Sequence, residues 1–186
     1  MTKTYTAGTL DFSKKQVVDS DLQKQIKHLM VHLKVFHQEI EFWFSLLLKC
    51  SNPQHGLYFR KPICIELFEY AHYMQWLKND LNEVGKKING IFKSKDRPSP
   101  IKPLDKSVSK VINSVIKYLK EPRNKFAAHR YTEKNDKKFI TIGDVNILTN
   151  KIHDKKLIDI RDQLFACEEL ISSWINSNKN YLIIDN

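Results

Sequence analysis

Four stretches of this chain repeat apolar residues at intervals of three and four, and that spacing constrains the fold more than any other feature. The first runs Leu22, Ile26, Leu29, Leu33, Phe36, Ile40, Trp43, Leu47. The second runs Leu67, Tyr70, Ala71, Met74, Leu77, Leu81, Val84, Ile88, Ile91. Val108, Val111, Ile112, Val115 and Leu119 make the third, and Leu157, Ile160, Leu164, Cys167, Ile171 and Trp174 the fourth. On an α-helix each set shares one face, and faces that wide must be buried against one another. The expected fold is all-α, an antiparallel bundle of four to five helices, with one minor extended segment at Phe139–Ile142.

Punctuation between the stripes sets the boundaries. Asp19, Ser20 and Asp21 offer N-caps for the first helix, and Asn52, Pro53 and Gly56 end it. A second helix is expected from about Pro62, weakened at Gly85 and Gly90 by up to about 1 kcal/mol each relative to alanine. Three prolines and several charges within 94–103 predict a flexible basic linker. Pro122 interrupts the third helix or opens a fresh helical piece. The domain reading is an N-terminal extension over 1–19, one bundle over 20–178 and a C-terminal tail over 179–186. A chain of 186 residues suits one buried core better than two.

With 31 Lys and Arg against 21 Asp and Glu, the formal charge is +10. That balance favours an anionic partner, nucleic acid ahead of a membrane surface, or else it is a solvated basic surface. The three cysteines Cys50, Cys64 and Cys167 lie far apart, without CxxC pairing, and read as buried thiols in a reducing compartment. No apolar run approaches the length of a bilayer crossing, and Met1 to Thr9 lack the pattern of a leader. A cytoplasmic location with no membrane partner is expected.

Chemistry concentrates in one run: Arg123, Asn124, Lys125, Phe126, Ala127, Ala128, His129, Arg130, Tyr131. A fixed cation beside a proton-accepting imidazole suits phosphodiester cleavage, where the phosphorane-like transition state gathers negative charge on its non-bridging oxygens while a proton leaves one oxygen and another reaches a second. Arg123 offers a planar donor fork to a phosphate, and Asn124 can hold the imidazole or the phosphate. Neutral His129 can take the 2′-hydroxyl proton, a step that needs no metal. Lys125 and Arg130 add phosphate contacts. On a regular helix Arg123 and His129 stand about 120° apart, so a shared site calls for the reach of the Arg123 side chain around the helix, a distorted turn at Pro122 or a second subunit.

This run resembles the motif of the HEPN domains (higher eukaryotes and prokaryotes nucleotide-binding), in which Arg, followed by a polar residue, precedes a His after four to six residues. Here five residues separate Arg123 from His129, and Asn124 fills the polar slot. Tyr131 supplies the His-x-Tyr extension of a toxin subset, where many other relatives carry an acidic residue. The resemblance implies a helical bundle that forms a homodimer with paired motifs in one composite site. It implies a metal-independent endoribonuclease acting on RNA in a toxin or phage-defence setting, with an antitoxin or a nucleotidyltransferase as a further partner. Tyr131, at the edge of that site, would be the target of nucleotide transfer.

Other readings stand beside it. Arg123 can instead bind an acidic side chain or a helix C-terminus while His129 fills a gap; the chain can also be a non-catalytic RNA- or nucleotide-binding module in which Arg123 and Arg130 hold phosphate without turnover, or a protein-interaction or dimerisation domain. His28 with His32, and Glu69 with His72, have helical spacings found in metal sites. The second Glu-x-x-His pair of a di-metal bundle is missing, so no metal and no cofactor are expected. The aromatics Phe42, Trp43, Phe44, Tyr70, Tyr73 and Trp76 read as core or interface before base-stacking platforms. Phosphate-binding glycine loops and nucleophile elbows are absent from the sequence.

Overall fold

The computed structural model describes residues 20–91, 101–128 and 152–178, and within them every element is helical: α1 (Ser20–Lys49), α2 (Pro53–Ile91), α3 (Lys106–Ala128) and α4 (Asp154–Asn178). The extended segment expected at Phe139–Ile142, and the outer segments 1–19 and 179–186, lie outside the described residues.

Local chemistry explains the helix ends. The Cys50 amide donates to Leu47 O at 3.2 Å, tightening the last turn of α1, and the Gly56 amide donates to Asn52 O at 3.2 Å to open α2. Asn52 and Pro53 thus take the cap and first-turn positions those residues favour. The second helix therefore starts earlier than the expected Pro62, which lies inside it. An interior proline costs a hydrogen bond, but Ile63, Cys64 and Leu67 bury immediately after it and hold the helix through the defect. Asp105 caps α3, accepting from the Ser107 amide at 2.8 Å. The helix then runs unbroken past Pro122 to Ala128.

Cross-helix contacts fix the topology. Gln25 reaches Asp80 and a β-carbon built on Gly56 would lie 3.6 Å from Leu47, so α1 and α2 are antiparallel. Asn89 meets Ile101 while Glu69 meets Arg123, which makes α2 and α3 antiparallel. The fourth helix runs antiparallel to α1 through His37–Glu168 and Arg161–Glu41. It runs alongside α2 in the same direction through Arg60–Asp154 and Tyr70–Glu168.

The four apolar stripes meet in one core, with α2 contributing Tyr70, Met74, Leu77, Leu81 and Ile88 to its fully buried centre. In α1 the sequence stripe drifts by one residue, since Phe44 is buried where Trp43 is only partly so. The end of the expected linker is not loose. Ile101 and Leu104 are buried, and the Asn89 amide clamps both the N–H and the C=O of Ile101 at 2.9 Å. Trp174 Nε1 donates to Lys102 O at 2.7 Å, and the Leu104 amide donates to Asn82 Oδ1 at 3.1 Å. Burying two apolar side chains requires their backbone groups to find partners, and these side chains supply them.

Candidate functional site

Residues Val108, Ile112, Val115 and Leu119 turn one side of α3 into the core. Arg123, one turn after Leu119, consequently leaves the helix at the edge of that core, toward α2. Its guanidinium carbon lies 5.4 Å from the centre of the Phe68 ring, and Nη2 donates to Glu69 Oε1 at 2.9 Å. The ion pair is partly exposed, with 36% of the Arg123 side chain and 30% of Glu69 open to solvent. Nη1 stands 3.5 Å from Asn124 Oδ1, a marginal contact, and Nε–H is buried with no partner among the described residues. An unsatisfied buried donor on a cation is costly, and it leaves this guanidinium short of acceptors.

Glu69 belongs to a row of carboxyl groups. Burial, the charges of Glu39 and Glu69 and a hydrogen bond with Glu39 push Glu66 up to about 7. A carboxyl held there can give or take a proton near neutrality, and Arg123 closes the row with a positive charge.

Of the residues singled out from the sequence, the structure thus turns Arg123 toward acids on α2 and leaves Asn124 exposed beside it. Lys125 lies on the last turns of α3, while His129, Arg130 and Tyr131 fall outside the described residues. Glu69, flagged in the sequence only as half of a Glu-x-x-His pair, is the partner of Arg123. Its neighbour His72 packs against Phe68, with ring centres 4.5 Å apart, so Phe68 touches both the guanidinium and an imidazole. His28 and His32 bring their Nε2 atoms to 3.1 Å. Among the described residues, no three His, Cys, Asp or Glu side chains form a group able to hold a metal ion.

A second polar crossing escaped the sequence reading. Glu168 Oε2 accepts from Tyr70 Oη at 2.5 Å and from His37 Nδ1 at 2.8 Å, while the His37 ring stacks on Phe165 at 3.9 Å. It ties α1, α2 and α4 together. Burial, with the hydrogen bond and charge of Glu168, raises the Tyr70 phenol far above its ordinary value, so it acts as a fixed donor. Residues this far apart in sequence give no local signal of pairing.

Charge is unevenly spread. The third helix carries six basic residues against the single acid Glu121, a net +5 of the chain's +10. No helix among the described residues is long and apolar enough to cross a membrane. Comparison with protein-family models, curated proteins and solved structures found no match to this chain.

Proposed function

We propose that this chain is a HEPN-like, metal-independent endoribonuclease of the toxin or phage-defence type, working as a homodimer whose paired Arg123–His129 segments build one composite site. The observation that supports it best is that half of the net charge sits on α3, the helix that leads into the motif. In this reading Arg123 anchors the scissile phosphate, with Asn124 beside it, and Lys125 and Arg130 hold flanking phosphates. His129 takes the 2′-hydroxyl proton as that oxygen bonds to phosphorus. The bond from phosphorus to the 5′-oxygen breaks, a proton reaches that oxygen, and a 2′,3′-cyclic phosphate remains. Tyr131 at the site edge would receive a blocking nucleotide from a partner transferase, and an antitoxin would silence the site in the cytoplasm.

The Arg123–Glu69 ion pair supports a second reading, in which Arg123 serves the fold and the protein binds RNA or nucleotides without turnover. Incubating wild type and His129→Ala with mixed RNA in EDTA separates the two. The first reading expects cyclic-phosphate ends from wild type alone. Equal cleavage by both proteins, or none by either, removes the nuclease.

A further inference from the structure

The third helix holds a line of cations that form no ion pair among the described residues. Lys106, Lys110, Lys117 and Lys120 are exposed and recur with Asn113 at three- and four-residue spacing, so they share one face over about 21 Å of helix. That face borders α2, because Gln75 Nε2 donates to Asn113 Oδ1 at 2.9 Å. Elsewhere Lys24, Lys87 and Lys156 pair with acids one turn away on their own helices. Lys106, Lys110, Lys117 and Lys120 form no ion pair among the described residues.

The bordering surface of α2 is aromatic. Trp76 is 48% exposed, an unusual state for so large an apolar ring. It is supported from within by Tyr73, at 5.0 Å between ring centres, and Tyr73 leans in turn on Phe36 at the same distance. His72 lies 6.3 Å from Trp76. The helix register, fixed by Glu69–Arg123 at one end and Lys78–Ser109 at the other, sets His72 and Trp76 level with Lys117 and Asn113.

We infer that the outer α2–α3 surface is a binding track for single-stranded nucleic acid, with bases stacked on Trp76 and His72 and phosphates following the Lys110–Lys117–Lys120 line. Cations beside half-open aromatic rings match the two chemical faces of an unpaired strand. A duplex offers only the first, since its bases are already paired and stacked. The inference rests on the nucleic-acid part of the proposed function, not on cleavage at the Arg123–His129 segment.

The test measures binding of a 2′-O-methyl oligo(U) of roughly 12 nucleotides, which lacks the attacking hydroxyl and has few stacked bases, against a duplex of equal length. Wild type is expected to prefer the single strand. Trp76→Ala should weaken it roughly 5- to 100-fold, and Trp76→Phe should retain most of the binding. The double variant Lys117→Gln, Lys120→Gln should lower the slope of log affinity against log salt by about 1.4. Equal or better duplex binding, an unchanged Trp76→Ala, or no oligo(U) binding would each overturn the track. So would a dimer that Trp76→Ala splits into monomers, because the surface would then join two copies of the chain. Cleavage of mixed RNA without oligo(U) binding sinks this inference alone, and oligo(U) binding without cleavage sinks the nuclease alone.

Discussion

Glu69 on α2 holds Arg123 of α3 through a 2.9 Å contact from Nη2 to Oε1, so the proposed phosphate anchor already carries an internal acid. A phosphate arriving at Arg123 must displace or share that carboxylate. Glu69→Gln removes the competing charge while keeping the shape, and RNA affinity should rise about 3- to 10-fold, since charged hydrogen bonds exceed neutral ones by about 1 kcal/mol. The pair is partly exposed, so its loss should lower stability by no more than about 1 kcal/mol. Fluorescence anisotropy and thermal melting read the two effects. Weaker binding by the variant would show that Glu69 aims the guanidinium rather than occupying it.

Glu66 gives stability a pH dependence of definite sign. Its carboxyl rises from 4.5 to about 7 on folding, chiefly through burial and then through Glu39 and Glu69. A raised carboxyl binds its proton more tightly in the folded state, so its contribution is complete below the unfolded value and is lost as pH climbs through about 7. Glu66→Gln should match wild type near pH 4 and exceed it near pH 8 by about 1 kcal/mol, the half-buried position being screened by solvent. Urea melts at the two pH values check this.

The helical stripes were legible because periodicity is a local signal: Leu81, Val84 and Ile88 bury at the spacing their sequence dictates. What escaped was long-range. Nothing around Glu69 announces Arg123, and nothing around His37 announces Glu168, because polar pairs of distant residues leave no repeat. Pro62 misled for a related reason. Proline is a strong helix starter in isolation, but Asn52 and Pro53 form a better start and the core beyond Pro62 carries the helix across it. The segment at Ile101 read as linker from its prolines, whereas burial of Ile101 and Leu104 turns it into a strap.

Tyr70 should contribute through its hydroxyl as well as its ring. Tyr70→Phe keeps the buried ring and takes one donor from Glu168, which retains His37. The expected loss is about 1 to 3 kcal/mol for a hydrogen bond to a charged acceptor, read as a lower urea midpoint at unchanged slope. An unaltered midpoint would mean that His37 alone satisfies the carboxylate.

The cysteines should divide by accessibility. Burial pushes the Cys64 thiol up to about 12, against a smaller opposing pull from Arg60, and burial also raises Cys167. Both are sealed as inert thiols, since the thiolate is the reactive form. Cys50 is only half-buried and donates to Asn52 O at 3.2 Å. A thiol reagent at pH 8 should modify Cys50 rapidly in the native protein and all three cysteines after denaturation. Mass spectrometry of the labelled peptides identifies the site, and rapid native labelling of Cys64 would contradict the packing around α2.

Asn89 offers the sharpest test of the strap that joins α2 to α3. Its amide donates to Ile101 O and accepts from Ile101 N, both at 2.9 Å, satisfying two backbone groups of a residue only 6% exposed. Asn89→Ala would strand both, at a cost of about 1 to 3 kcal/mol for each group that water fails to reach. Gly90→Ala, one residue on, provides the control. A β-carbon there meets nothing within 4 Å, and alanine favours the helix over glycine by up to about 1 kcal/mol. The two neighbouring variants should therefore move in opposite directions in denaturant melts. Hydrogen exchange at the Ile101 amide should accelerate in Asn89→Ala, and protection equal to wild type would show that the core contacts of Ile101 hold the strap without the clamp.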